Sequence, residues 1–312
     1  MADGITRAEL LRKGLLGMTA LSVVPAASSC EGGETQRTQA AEPEETLPVG
    51  YREVEGFAPG FHTCRGIAAE GDTVWVAGDM AVRSFRNGES VESLDVPGAA
   101  QALATTPDGT IYAALDDRIV VVAKGQTVEW ESLGPRARLV HLVVAGSDVL
   151  AADAGNRQVL RFDREGKLRN RIGSRNPGVG YPGLVVPSPY LGMALLPSGE
   201  LLVCNPGQHR LETHTLDGQL QDAIGKAGQG IADFCGCCNP MSVAVLPNGD
   251  LVTAEKGIPR VKVLAPDGSL KTVVAPPQAF EVNTKGLEVV VQGTQVLVLD
   301  PWEGKVRVFV PA

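Results

Sequence analysis

The chain has 312 residues, 44% of them apolar, with 36 acidic against 28 basic side chains and a net charge of -8. That apolar share is enough for a large buried core, which excludes a disordered chain. The negative balance repels phosphate backbones, and 4% aromatics without a basic stripe offers no platform for stacked bases, so no nucleic-acid partner is expected.

The first thirty residues form a segment of their own. Arg7, Arg12 and Lys13 lead into the apolar run GLLGMTALSVVPAASS at 14–29, which ends at Cys30. A basic start, a short apolar middle and a small-residue finish are the pattern of an export signal. The run is interrupted by Gly, Ser and Pro and falls short of the roughly twenty residues a spanning helix needs. TRAELLRKG resembles the twin-arginine export signal of bacteria, with Ala8 in the place of the second arginine, and AASSC resembles a bacterial lipobox, with Ala27 where Leu is usual. The lipobox resemblance implies that Cys30 becomes a lipid-bearing N-terminus, anchored by burial worth about 0.8 kcal/mol per methylene. Ordinary cleavage nearby, giving a soluble secreted protein, is the alternative. Residues 31–50 are polar, acid-rich and contain Pro43 and Pro48, as expected of a flexible acidic linker.

From residue 51 a single pattern repeats. Six apolar segments, RGIAAE, QALATTP, VHLVVAG, GMALLPS, SVAVLPN and LEVVVQG, each run into a turn at Gly71, Gly109, Gly146, Gly199, Gly249 or Gly293. These glycines are spaced by 38, 37, 53, 50 and 44 residues, and a second series at Gly88, Gly125, Gly166, Gly218 and Gly268 marks a later turn in each unit. Dipeptides such as Asp108-Gly109, Asn248-Gly249 and Asp267-Gly268 are hairpin signals. Four strands per unit of about forty to fifty residues predict an all-β, six-bladed propeller. The last unit has only three strands, and YREVEGF at 51–57 is an orphan strand, so the N-terminal strand is expected to complete blade six and cover its edge.

The units resemble NHL repeats, whose blades carry an Asp, then Asn-x-Arg, then an apolar strand. The clearest match is AADAGNRQVLRF with Asp153, Asn156 and Arg157, while VCNPGQHRLETH and LDPWEGKVRVF are looser, and the first two blades lack the triplet. CNPMSVAVLPNGDLVTAEKGIPRVKV looks like exported bacterial NHL-type proteins. Propellers of this kind range from protein-interaction modules to lyases and lactonases, so the resemblance implies a fold and leaves the activity open.

The unusual residues gather on one predicted face, that of the blade-to-blade connectors and second-to-third strand turns. Cys64 precedes the first strand of blade one, Cys204 ends the second strand of blade four, and Cys235, Cys237 and Cys238 lie in the connector between blades four and five. In an oxidising compartment a disulfide between Cys204 and one of the triplet is one expectation. A metal centre holding Zn, Cu or an iron-sulfur cluster is another, with His62 and His209 on the same face. Reduced, buried thiols are the third. His141 and His214 fall within strands and are read as packed or solvent-facing rather than as ligands.

Asp79, Asp116, Asp153, Glu255 and Asp300 end the second strand of five blades, with Asn205 in the sixth. Such a ring could bind a divalent cation through hard oxygen ligands. Arg118, Arg157, Arg210, Arg260 and Lys305 follow shortly after and favour ion pairs that brace the turns. The proline-rich connector at 173–190 is expected to be a semi-rigid frame for one face.

No serine-nucleophile elbow, phosphate loop or zinc-protease pair occurs. The function expected is therefore an exported cell-envelope module that binds a protein partner or small ligand through its cysteine-bearing face, meeting the membrane only through a lipid anchor. A periplasmic metal-dependent or redox enzyme with a Cys/His-lined centre on that face is the alternative.

Overall fold

The computed structural model describes residues 47–236 and 238–312. The expected export signal, Cys30, most of the linker and Cys237 lie outside the described residues. Among the described residues, 24 strands form six four-stranded antiparallel sheets. The orphan strand is β1 (Tyr51–Phe57). Blade one is β2 (Cys64–Glu70), β3 (Thr73–Gly78), β4 (Ala81–Arg86) and β5 (Glu89–Asp95). Blade two is β6 (Ala102–Thr105), β7 (Ile111–Ala114), β8 (Ile119–Ala123) and β9 (Gln126–Glu129), and blade three is β10 (Leu139–Ala145), β11 (Asp148–Asp153), β12 (Gln158–Asp163) and β13 (Leu168–Ile172). Blade four is β14 (Met193–Leu195), β15 (Leu201–Asn205), β16 (Arg210–His214) and β17 (Leu220–Ile224). Blade five follows as β18 (Ser242–Val245), β19 (Leu251–Glu255), β20 (Arg260–Leu264) and β21 (Leu270–Ala275). Blade six takes β22 (Glu288–Gln292), β23 (Gln295–Asp300) and β24 (Lys305–Pro311), and β1 hydrogen-bonds to β24 as its fourth strand. The six-bladed, N-terminally closed propeller expected from the repeats is the fold observed.

Sequence pattern and radial position correspond. The second strands β11, β15 and β19 are buried at every residue and read as near-continuous apolar runs, whereas the outer strands β5 and β9 are exposed almost throughout and polar. A strand covered on both faces must be apolar on both, while an outer strand need not be. The first strands β2, β6, β10, β14, β18 and β22 are innermost and each contacts the next around the ring, so β10 of blade three and β22 of blade six stand on opposite sides of the axis. Glycine permits close approach here: a Cβ on Gly66 would sit 2.7 Å from Ala102 Cα, and one on Gly192 2.6 Å from Ser242 Cα.

The apolar interior is divided. Six buried clusters lie between neighbouring blades, for example Ala102, Tyr112 and Leu139 with Phe162 between blades two and three, and Leu297, Leu299 and Val306 with Ile67 and Val76 between blades six and one. Each sheet face packs on the next sheet, as in a sandwich repeated around a ring.

Closure is reinforced by side chains. Arg307 of β24, nearly buried, reaches Glu53 of β1 through Nε to Oε1 at 2.8 Å and Nη2 to Oε2 at 2.5 Å, and donates from Nη1 to the Ala279 carbonyl at 2.6 Å. Its guanidinium lies 4.7 Å from the ring centroid of Phe280. One cation thus ties the N-terminal strand, the last strand and the blade five to six connector together. The chain just before β1 is also held: Val273 N donates to Pro48 O at 2.9 Å and Gly50 N to Val273 O at 3.2 Å. The end of the predicted linker, residues 48–50, therefore lies along the outer strand of blade five.

Candidate functional site

The connectors open on one end of the ring, as the repeat pattern predicts, and there they surround a cavity of about 400 Å³ at the mouth of the central channel. All six blades line it, through Cys64 and Arg65, Gln101 and Asp116, Arg138 and His141, Tyr190 and Gly192, Ser242, and Lys285 and Glu288. The proline-rich connector contributes its end, Pro189 and Tyr190, and Leu191 and Gly192 follow directly. It is held in place by Tyr181, whose hydroxyl donates to Glu212 Oε2 at 2.6 Å, and by Lys256, whose Nζ donates to Ser188 Oγ at 2.9 Å and lies 4.9 Å from the Tyr190 ring centroid. The expected frame over one face is present.

Two titratable side chains meet across the channel. His141 Nε2 of β10 and Glu288 Oε1 of β22 are 3.4 Å apart, from opposite blades. The spacing would admit an ion pair, but enclosure disfavours both charges: burial pulls the His141 imidazole down to about 4 and pushes the Glu288 carboxyl up to about 8. The direction is the same for both partners, toward a neutral imidazole facing a protonated carboxyl at neutral pH. His141 Nδ1 is buried and has no hydrogen-bond partner.

Sequence reasoning missed this pair. The sequence reading of His141 as packed or solvent-facing leaves it unpaired with Glu288, yet both are polar residues in otherwise apolar first strands, VHLVVAG and LEVVVQG. A charged or polar side chain in the innermost strand of a propeller faces the axis, and that register was the available signal.

Cys64 and Cys204 both lie toward the connector end of the ring but in different wedges between blades. Cys64, 3% exposed, packs in the cluster between blades six and one, whereas Cys204, 0% exposed, packs with Phe234 and Leu211 between blades four and five. The two clusters are separated by blade five and blade six. Both side chains turn into the wedges between sheets. Cys64 and Cys204 form no disulfide, and burial pushes both thiols up from their ordinary range, the effect being larger at Cys204. Cys235 is half-buried and also a thiol, raised first by burial and then by Glu255, with Arg260 and Lys262 opposing. Cys238 is buried beside it in sequence, and Cys237 lies outside the described residues. Among the described residues no three His, Cys, Asp or Glu side chains are grouped to hold a metal ion, His62 and His209 included.

The connector bearing Cys235 is anchored by a buried lysine. Lys262 Nζ donates to the carbonyls of Ile231, Ala232 and Asp233 at 2.9, 3.1 and 2.7 Å, and lies 2.9 Å from Glu255 Oε1. Glu255 also accepts from Arg260 Nε and Nη2, each at 3.1 Å. Asn239 closes the loop, donating from Nδ2 to Cys235 O at 2.6 Å and accepting Lys256 N on Oδ1 at 2.8 Å.

The acidic ring resolves into different roles. Asp79 accepts the backbone N–H groups of His62 and Thr63, both at 2.9 Å, which hold its carboxyl below the usual carboxylate range. Asp153 accepts Arg138 N at 3.0 Å and Asn156 N at 3.2 Å, and Asn205 Oδ1 accepts Val185 N at 2.9 Å. Asp300 accepts Trp302 N and Glu303 N at 3.0 and 3.2 Å. The residue that ends the second strand thus pins local backbone, usually the incoming connector. The predicted turn-bracing ion pair forms at Glu255 with Arg260, whereas Arg118 pairs with Asp117 and Glu129, Arg210 with Glu212, and Lys305 with Glu303. The acids committed to backbone or to internal cations do not form a ring of open oxygen ligands. Asp116 differs: it is exposed and lines the cavity.

Comparison with solved structures identifies the class as propeller. Virginiamycin B lyase from Staphylococcus aureus superposes with a TM-score of 0.60 at 13% identity, covering 84% of this chain and 99% of that one. A protein of unknown function from Bacteroides thetaiotaomicron gives 0.61 at 15% identity over 84% and 73% of the two chains. A structural-genomics target assigned to the gluconolactonases gives 0.59 at 16% identity over 87% and 96%. No family model and no curated protein sequence matches the chain. At these identities the likeness is one of fold.

Enclosure of Glu288 gives a stability signature. In the unfolded chain this carboxyl ionises near 4.5, whereas in the fold it keeps its proton to about 8, so folding binds a proton across that window and stability falls as pH rises through it. Glu288→Gln cannot ionise and removes the effect. Melting curves from pH 5 to pH 8 are expected to show the wild type losing about 5 °C more than the variant; parallel curves would mean that Glu288 is ionised throughout.

Proposed function

We propose that this chain is an exported, NHL-type propeller that binds a small ligand at the mouth of its channel. The observation that supports the reading most is the cavity of about 400 Å³ to which all six blades contribute side chains. Its size is that of small-molecule sites, which are concave and lined by a few convergent polar groups. The walls are stiff because their connectors are tied to the blades by buried groups, with Lys262 and Glu255 on one connector and Tyr181 with Glu212 on another. A site whose donors are held in place before binding loses less entropy on taking up its ligand.

The cysteine-bearing face enters this reading as scaffold. Cys64 and Cys204 are buried in separate wedges, too far apart to share a metal or form a redox couple with each other. That leaves less support for the enzyme alternative as framed around those thiols than for a binding module. The signal-like N-terminus and the lipobox resemblance at Cys30 favour placement at the cell envelope, tethered by lipid.

Two experiments test the proposal. Thermal-shift screening of the full chain against a collection of small metabolites is expected to yield ligands that stabilise the wild type and do not stabilise Gln101→Trp, whose indole would fill the mouth. Ligands that stabilise both proteins equally would place binding elsewhere, and the absence of any ligand would count against the function itself. Fractionation of bacteria producing the full chain is expected to find it with the membranes, and Cys30→Ala in the soluble fraction; wild-type protein confined to the cytosol would remove the export reading.

A further inference from the structure

The mouth has a charge opposite to that of the chain. The protein carries a net charge of -8, yet the cavity lining holds three exposed cations, Arg65, Arg138 and Lys285, against one exposed carboxylate, Asp116. Among the described residues none of the three cations lies within 4 Å of a carboxylate; Arg138 donates from Nη1 to its neighbour's carbonyl, Ala137 O, at 2.9 Å. They come from three separate stretches: Arg65 from β2, Arg138 from the residue before β10, and Lys285 from the connector into β22. Fold stability gives no reason for the grouping, since like charges held around one concavity repel. Elsewhere in the same molecule cations at blade junctions are neutralised, as Arg161 is by Asp148 at 2.7 Å and Asp217 at 2.9 Å, and Arg307 by Glu53.

We propose that the solute bound at the channel mouth is a small oxyanion-bearing molecule with at least two negative charges, held by Arg65, Arg138 and Lys285. This rests on the reading of the mouth as a ligand seat and names the chemistry that seat selects. Guanidinium groups grip carboxylate or phosphate oxygens through paired N–H donors, and low-dielectric walls around a cleft concentrate the field of its charges. The groups beneath are compatible with an anion, because burial disfavours charge on both His141 and Glu288. Asp116 is the opposing group, and it discriminates against bulky polyanions that would crowd the whole lining. Three cations around a cavity of this size do not form the extended basic stripe on which a nucleic acid is tracked.

The test is calorimetric titration of the full chain with citrate, with inorganic pyrophosphate, and with glucose as an uncharged control, at low and at moderate salt. Citrate or pyrophosphate is expected to bind, more weakly as salt rises, and glucose is not; which anion binds more tightly distinguishes a carboxylate from a phosphate ligand. Arg65→Gln and Arg138→Gln are each expected to weaken binding about 10-fold, the loss of a charge-assisted hydrogen-bond pair. Lys271→Gln, an exposed cation on the outer strand of blade five, is expected to leave it unchanged. Equal binding of the anions to the arginine variants and the wild type would overturn the assignment. So would failure of both anions to bind while an uncharged solute binds and is blocked by Gln101→Trp; that result would leave the ligand seat standing and remove only its charge preference.

Discussion

The pairing of β1 with β24 is the constraint on which the rest of the structure depends. Without it blade six would have three strands and a free edge, and the wedge between blades six and one would lose the register that holds it. Because every sheet packs only on its neighbours, the ring has no central core to fall back on. Opening it at one junction would allow the six inner strands to splay, and the mouth exists only where those strands converge. The Arg307 clasp on Glu53 and Ala279 O stands at that junction and joins the two ends of the propeller across 254 residues of sequence.

Buried charge is used in this protein mostly to hold loops. Lys262 with Glu255 and Arg260 fixes the connector before blade five, Glu212 gathers Tyr181, Asn205, Arg210 and His214 before and within blade four, and Asp153 receives the backbone of the connector before blade three. Burying a charge is unfavourable unless it is paired and hydrogen-bonded, and each of these groups has several partners. The Glu212 carboxyl is accordingly held low, at about 2, by four hydrogen-bond partners that outweigh its burial. The mouth is the contrast, because there Arg65, Lys285 and Asp116 have no ion pair among the described residues, and burial disfavours charge on both His141 and Glu288. A rim so firmly braced, around side chains left unpaired, is an arrangement suited to a ligand.

Much of the architecture was legible in the chain. The paired glycine series located the hairpins because positive φ at Gly109 and Gly249 is a local requirement, and the missing fourth strand of the last unit pointed to YREVEGF because an open edge is a liability. The site was less legible for a physical reason. Repeat spacing shows where along a strand a residue sits but not whether a cysteine near the loop face turns into a wedge or toward solvent, and the polar positions of VHLVVAG and LEVVVQG meet only once the ring has closed. Arg157 is the cation that follows Asp153 in the sequence, whereas the partner of Asp153 is the backbone amide of Arg138, fifteen residues upstream, which no side-chain pattern reveals. Only at Glu255 does the local arginine prove to be the partner.

The most direct measurement of the account is hydrogen exchange on the full-length chain, resolved along the last blade. If β1 completes the ring, the amides of β24 exchange as slowly as those of β23, and the amides of residues 51–57 that face β24 are protected well beyond those that face outward from this edge strand. Rapid exchange in residues 51–57, with β24 behaving as an open edge, would show a ring that does not close this way, and the mouth built upon it would have no fixed shape.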